Sequence, residues 1–203
     1  AFTMPELKLI LDAANEEWRS MIYFGLYTGQ RLGDIAALTW QNIDLQQREI
    51  RLLTTKTERQ QIIPIAAPLM RHIMELPSSD DPKAPLHAHA HEVLTREGRT
   101  GTLSREFYEI MMNIGLVQKK THKKKKDGEG DGRRGRHKVN EISFHALRHT
   151  ATSLMKNAGI SPAIVQEFIG HDSEAINRVY THIETESMRR AADALPDLIR
   201  EGK

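Results

Sequence analysis

The residues able to do chemistry in this chain gather between His145 and Tyr180. His145-Ala-Leu-Arg148-His149 is followed by Gly170-His171 and then by Tyr180. These types supply a base, a guanidinium clamp, a further imidazole donor and a phenolic nucleophile. Arg31, far upstream, and an isolated Lys56 complete the set. Substitution at phosphorus makes three demands: the non-bridging oxygens must be neutralised, the attacking oxygen deprotonated and the leaving oxygen protonated. Arginine suits the first because its planar fork binds two phosphate oxygens and stays charged. His145 and Arg148 are three positions apart, so on a helix they share a face. Tyr180 needs help to ionise, since a free phenol has a pKa near ~10. Together the set has the parts to attack a phosphodiester without a metal.

Secondary structure must bring these distant positions together. Thr3-Met-Pro-Glu6 reads as a capping box and predicts a helix running to about residue 14. A second helix is expected over 18–27, ending near Gly29 as a left-handed cap, and a short third over 31–38. The hydrophobic period then changes to two. Residues 49–53 and 61–65 predict a hairpin in a small sheet, with Lys56 in or beside its turn. Pro64 places the second strand at an edge. Pro68 opens a helix to about residue 76, residues 77–85 read as a linker, and Ser104 caps a helix through 115. After Ile142 come helices over 145–157, 161–169 and 173–181. A last amphipathic helix over 186–200 carries Met188, Ala191, Ala192, Leu195 and Ile199 on one face. The fold class expected is mainly α with a small antiparallel β-sheet (α+β).

Bulk properties narrow the function. At 203 residues and 23.1 kDa the chain fits one domain, or one with a small appendage, and 39% apolar residues suffice for a core. The absence of cysteine removes disulfides and thiolate metal sites, and suits a reducing cytosolic setting. No apolar run is long enough for a membrane helix, and the initial Ala suggests a fragment or processed product. The net charge of +2 conceals an asymmetry: ten Lys or Arg against three acidic residues give +7 between Val117 and Lys138, leaving −5 elsewhere. That low-complexity insertion lacks apolar periodicity and is expected to be mobile. Its Lys123, Lys124, Lys125, Lys126, Arg133 and Arg134 are candidate phosphate contacts, which would add a diffuse, salt-sensitive term if the partner is DNA. His87, His89 and His91 would share a face on a strand, but only Glu92 is a nearby acidic partner. A loop or strand is expected there, with no metal.

In this order the motifs resemble the catalytic domain of the tyrosine recombinase (phage integrase) family. The matching segments are Tyr27-Thr-Gly-Gln-Arg31-Leu-Gly-Asp34-Ile-Ala-Ala-Leu-Thr-Trp40, the Lys56 hairpin, His145-Ala-Leu-Arg148-His149-Thr150-Ala151-Thr152, Ile169-Gly-His171-Asp-Ser173 and Val179-Tyr180-Thr-His182. The resemblance spans nearly the whole chain and implies the DNA breaking-rejoining fold. It further implies that Arg31 and Arg148 grip the scissile phosphate and that Lys56 protonates the leaving 5′-hydroxyl. His145 would do acid–base work, His171 would position the phosphate, and Tyr180 would attack to form a 3′-phosphotyrosyl link. Asp34 would support the site by orienting a neighbouring cation. No cofactor, metal or ATP is implied.

The partners implied are double-stranded DNA and further copies of the chain in a tetrameric synapse, through the C-terminal helix. The setting implied is a bacterial or phage cytoplasm, on the nucleoid. Two departures stand out: the family's separate N-terminal DNA-binding domain is expected to be absent, and the basic insertion is unusually long. A catalytically reduced DNA-binding accessory protein and a type IB topoisomerase-like strand relaxer are the competing readings.

Overall fold

The computed structural model describes residues 1–54, 58, 60–118, 142–170 and 185–199. Its centre is helix α2 (Glu16–Thr28), in which Trp18 and every residue from Ser20 to Thr28 are buried. A helix covered on all faces needs partners on all sides. It contacts α3 (Leu32–Ala36), α4 (Ala67–Glu75) and, most extensively, α7 (His145–Asn157). Helix α1 (Met4–Ala13) starts with the expected capping box: Thr3 N–H donates to Glu6 Oε2 at 2.7 Å, while Thr3 Oγ1 accepts from Glu6 N–H. The Thr3 N–H and the Thr3 hydroxyl both donate to the Glu6 carboxylate, which favours its charged form and holds its pKa below the usual range. Helix α1 contacts α6 (Gly101–Asn113), and Trp18, Phe107 and Phe144 meet edge to face or tilted, with centroids 5.2–6.3 Å apart. That aromatic cluster joins α2, α6 and the residue preceding α7.

The sheet is antiparallel, in the order β1 (Ile43–Asp44), β2 (Glu49–Leu53), β3 (Gln60–Pro64). Ile50 pairs with Ile63 and Leu52 with Gln61, which sets these four side chains on the core face. Leu53 and Ile62 face outward and are exposed. Strand β3 has one neighbour among the described residues, so Pro64 occupies an edge as expected.

Three expectations change. The His87–His91 segment is not a loop or strand: His87 is the N-cap of α5 (Ala88–Glu97), which Glu17 caps by accepting from the N–H groups of His89 and Ala90 at 3.1 and 2.8 Å. Glu17 lies 72 positions from His89, so no local signal announces the helix. Helix α6 begins at Gly101, ahead of the expected Ser104 cap. The C-terminal helix, α9 (Thr185–Asp193), ends well before residue 200. Pro196 has no N–H to continue it, and Leu195 and Ile199 are buried by non-helical chain instead. Tyr27 Oη donates to Pro196 O at 2.6 Å and accepts from Leu198 N–H at 3.0 Å.

Candidate active site

Arg31 and Arg148 are positioned by helix ends. Helix α2 stops at Gly29, whose φ of 64° is the left-handed conformation that L side chains resist. The chain turns, and Arg31 becomes the N-cap of α3 with its side chain 30% exposed. Arg148 projects from α7 into the seam between α2 and α8 (Pro162–Ile169), where only 2% of it is exposed. Its Nη1 donates to Gly29 O at 2.7 Å, across 119 positions of sequence, and its Nη2 donates to Gly170 O at 3.3 Å. Gly29 and Gly170 are the left-handed C-caps of α2 and α8. One guanidinium thus binds two helix C-terminal carbonyls, where partial negative charge accumulates. Arg148 Nε has no hydrogen-bond partner among the described residues.

Electrostatics tie the same groups together. Burial, and then the nearby Arg31 charge, push the Arg148 pKa down to about 10, while Asp34 pulls it back up. Arg148 remains a cation at neutral pH. Asp34 is buried, with its Oδ2 4.0 Å from Arg31 Nη1 one turn away. The carboxylate therefore sits between two cations it partly neutralises, leaving a local excess of positive charge beside the open side of Arg31.

His145 is exposed at the start of α7, and its ring meets His149 edge to face at 4.8 Å. Thr150 and Thr152 are helix-face residues, returning their hydroxyls to Ala146 O and Arg148 O at 2.7 and 2.8 Å. Lys56, His171, Tyr180 and the basic residues Lys123, Lys124, Lys125, Lys126, Arg133 and Arg134 lie outside the described residues. The structure thus brings Arg31, Asp34 and Arg148 together, and ends α8 at Gly170, the residue before His171.

Two polar groups near this frame were not anticipated. Gln61, 3% exposed, donates from Nε2 to Phe168 O at 2.8 Å and Glu167 O at 3.3 Å. Its signal was present in the strand pattern, as a polar residue on the apolar face shared with Ile63. The second group is a chain of bonds through Ser20 Oγ, 2.8 Å from His72 Nε2 and 3.0 Å from His87 Nε2. His87 Nδ1 lies 3.4 Å from Ile35 O, so Nδ1–H is the donor there and Nε2 accepts the Ser20 hydroxyl. Ser20 then accepts from His72. Burial holds both imidazoles neutral, with pKa values lowered to about 4. His87 thus fastens α5 to α2 and α3. Among the described residues no group of three or more His, Asp or Glu could hold a metal, and no helix is long and apolar enough to cross a membrane.

Comparison with known proteins fits this frame. The model of the phage integrase family matches residues 1–187. The tyrosine recombinase XerD of Pasteurella multocida is 23% identical over 186 residues, covering 91% of this chain and 55% of that protein. The integrase of mycobacterium phage Brujita superposes with a TM-score of 0.61 at 17% identity, over 100% of this chain and 61% of that one. The lambda integrase catalytic core gives 0.54 at 23% identity, over 85% and 93%. Lambda integrase as a tetramer bound to a Holliday junction gives 0.52 at 21%, over 90% and 49%. The fold is that of tyrosine recombinase catalytic domains, and the chain belongs to the phage integrase family. It spans about half the length of the curated relatives it matches.

Proposed function

We propose that this chain is the catalytic part of a site-specific DNA recombinase that cuts and rejoins strands through a 3′-phosphotyrosyl intermediate. The observation that carries the reading is the junction of Arg31, Asp34 and Arg148 at the glycine-capped ends of α2 and α8. Arg148, braced by two carbonyls and with Nε still open among the described residues, is held rigid for a phosphate oxygen. Arg31, more exposed, approaches a second oxygen. Such preorganised charge stabilises the pentavalent transition state without reorganising during reaction.

Tyr180 attacks phosphorus, His145 handles the proton on the nucleophile, His171 donates to a non-bridging oxygen, and Lys56 protonates the departing 5′-oxygen. The P–O5′ bond breaks as the tyrosyl P–O bond forms. A 5′-hydroxyl from another strand then reverses the exchange, so the bond energy is kept and neither metal nor ATP is consumed. The other three tyrosines support this assignment. Tyr27 is buried on the C-terminal segment with its pKa pushed up to about 12, Tyr23 is buried against His72, and Tyr108 donates to Gln118 O.

Double-stranded DNA is the substrate, with the basic insertion lying along flanking phosphates, and the working form is a homo-oligomer assembled on DNA. A role for α9 in that assembly requires the segment after Asp193, here seated on its own chain by Tyr27 and by an Arg71–Asp197 ion pair, to be compatible with a neighbour.

The test is a nicked suicide duplex built on the recombination sequence flanking the gene. A denaturation-resistant protein–DNA adduct should form, survive chelation of metals, and vanish in Tyr180→Phe. An adduct that persists in Tyr180→Phe removes this residue as nucleophile. Absence of any adduct returns the chain to a DNA-binding accessory role, and relaxation of supercoils without recombinants points to a strand relaxer.

A further inference from the structure

Gln61 is a buried amide on β3 that spends its donor on another element entirely. Its Nε2 donates to Phe168 O at 2.8 Å, a carbonyl in the last turn of α8 that the helix itself leaves unpaired, and at 3.3 Å to Glu167 O, which also accepts from Gly170 N–H. Its Oε1 is buried with no hydrogen-bond partner among the described residues. The amide also abuts Gly170: a Cβ placed there would come within 2.4 Å of Oε1, 2.8 Å of Nε2 and 2.9 Å of Cδ. Gly170 is the residue whose carbonyl receives Arg148 Nη2. The contacts therefore form one line, from β3 through Gln61 to the end of α8, then through Gly170 O to the Arg148 fork.

We infer that Gln61 is a positioning residue for the phosphate clamp, fixing Gly170 and through it the aim of Arg148; this rests on the recombinase reading above. A plain core staple would explain the two hydrogen bonds but not their place. The amide binds the one helix end that both carries the Arg148 acceptor and leads directly into His171. Without its donor, Phe168 O loses its partner, Glu167 O keeps only Gly170 N–H, and the end of α8 is free to shift. Phosphoryl transfer is sensitive to such shifts, because a displacement of about 1 Å in a positioned group can cost on the order of 100-fold in rate.

The experiment compares the wild-type chain with Gln61→Met, close in volume but without the donor, and with Gly170→Ala, which drives a Cβ into the same amide. Each is assayed for DNA affinity, thermal midpoint and single-turnover adduct formation on the nicked duplex. The expected signature is adduct formation slowed by about 10- to 100-fold with affinity within about twofold. A parallel duplex carries sulfur at the 5′ leaving position, which departs without protonation. The defect should persist on it, since Gln61 acts on the phosphate side.

A Gln61→Met rate equal to wild type overturns the inference. So does a defect that disappears when the assay is cooled by the difference in thermal midpoints, because Gln61 is then only a stability residue. Recovery on the sulfur substrate also overturns it, by moving the effect to leaving-group protonation. If the wild-type protein forms no adduct, the recombinase reading itself fails and this inference falls with it.

Discussion

Arg31 and Arg148 carry the same charge into opposite surroundings. Arg31 caps a short helix at the surface, loosely paired with Asp34 at 4.0 Å. Arg148 is enclosed between three helices and bound to two of their C-caps. One arginine is partly open to solvent; the other is part of the frame that joins α7 to the ends of α2 and α8. On the function proposed above, catalytic demand and structural demand fall on different arginines, although the sequence writes both with the same letter.

Substitution separates the two arginines. Arg31→Ala and Arg148→Ala should each reduce adduct formation by at least about 100-fold, the scale of losing one transition-state donor. Only Arg148→Ala should also unfold more easily, by about 2–4 kcal/mol in urea titration, because two buried carbonyls lose a charged donor. Arg31→Ala should stay within about 1 kcal/mol of wild type, as an exposed and loosely paired side chain does. Equal urea midpoints for the two variants would erase the distinction drawn between them.

The seam around Arg148 gives a finer test. Gly29→Ala meets a left-handed φ of 64° and places Cβ 2.2 Å from Ile169 Cδ1. Gly98 has the same φ of 64° with nothing within 4 Å of a Cβ. Both alanines carry the backbone penalty of roughly 1–2 kcal/mol, and Gly29→Ala should cost about 1–3 kcal/mol more for overpacking. Matching losses would mean that α2 and α8 can part without consequence. That would weaken the view of Arg148 as part of a rigid frame.

The last effect is a slope and not a loss at fixed pH, and concerns another buried polar group, His87, which should respond to acid where the arginine frame does not. Its folded pKa of about 4 lies below the 6.5 of an ordinary unfolded histidine, so the neutral form is favoured by folding. Above pH 6.5 both states are neutral and this group adds no pH dependence. Between 6.5 and 4 the unfolded chain takes up a proton that the folded chain refuses, so stability falls as pH falls. The slope per histidine is at most about 1.4 kcal/mol per pH unit. His87→Gln should flatten the fall of thermal midpoint across that window. A slope unchanged in this variant would assign the acid sensitivity to other groups.

Much of the frame was legible locally. The Thr3–Glu6 capping box, the Gly29 stop, the Ser161-Pro162 start and the two-residue alternation around Ile50 and Ile63 are short-range signals, and each marks the element observed. Helix α5 was not legible, because its cap, Glu17, comes from a different helix 72 positions away. Nor was the end of α9: the apolar spacing of Leu195 and Ile199 continues, but Pro196 stops the helix and those side chains are buried from non-helical chain.

For the candidate site, the sequence by itself determined which residue types stand in which order, and with them the family to which the chain belongs. Charge, hydrogen-bonding capacity and helical spacing are properties of residues and near neighbours, so they are readable without a fold. Packing alone makes Arg148 the buried arginine and Arg31 the open one, and brings Gln61 and two glycine carbonyls to the same junction. Those assignments depend on three helix ends and a strand converging from distant parts of the chain. Burial and hydrogen-bond partnership at that junction are set by packing, which no local pattern encodes.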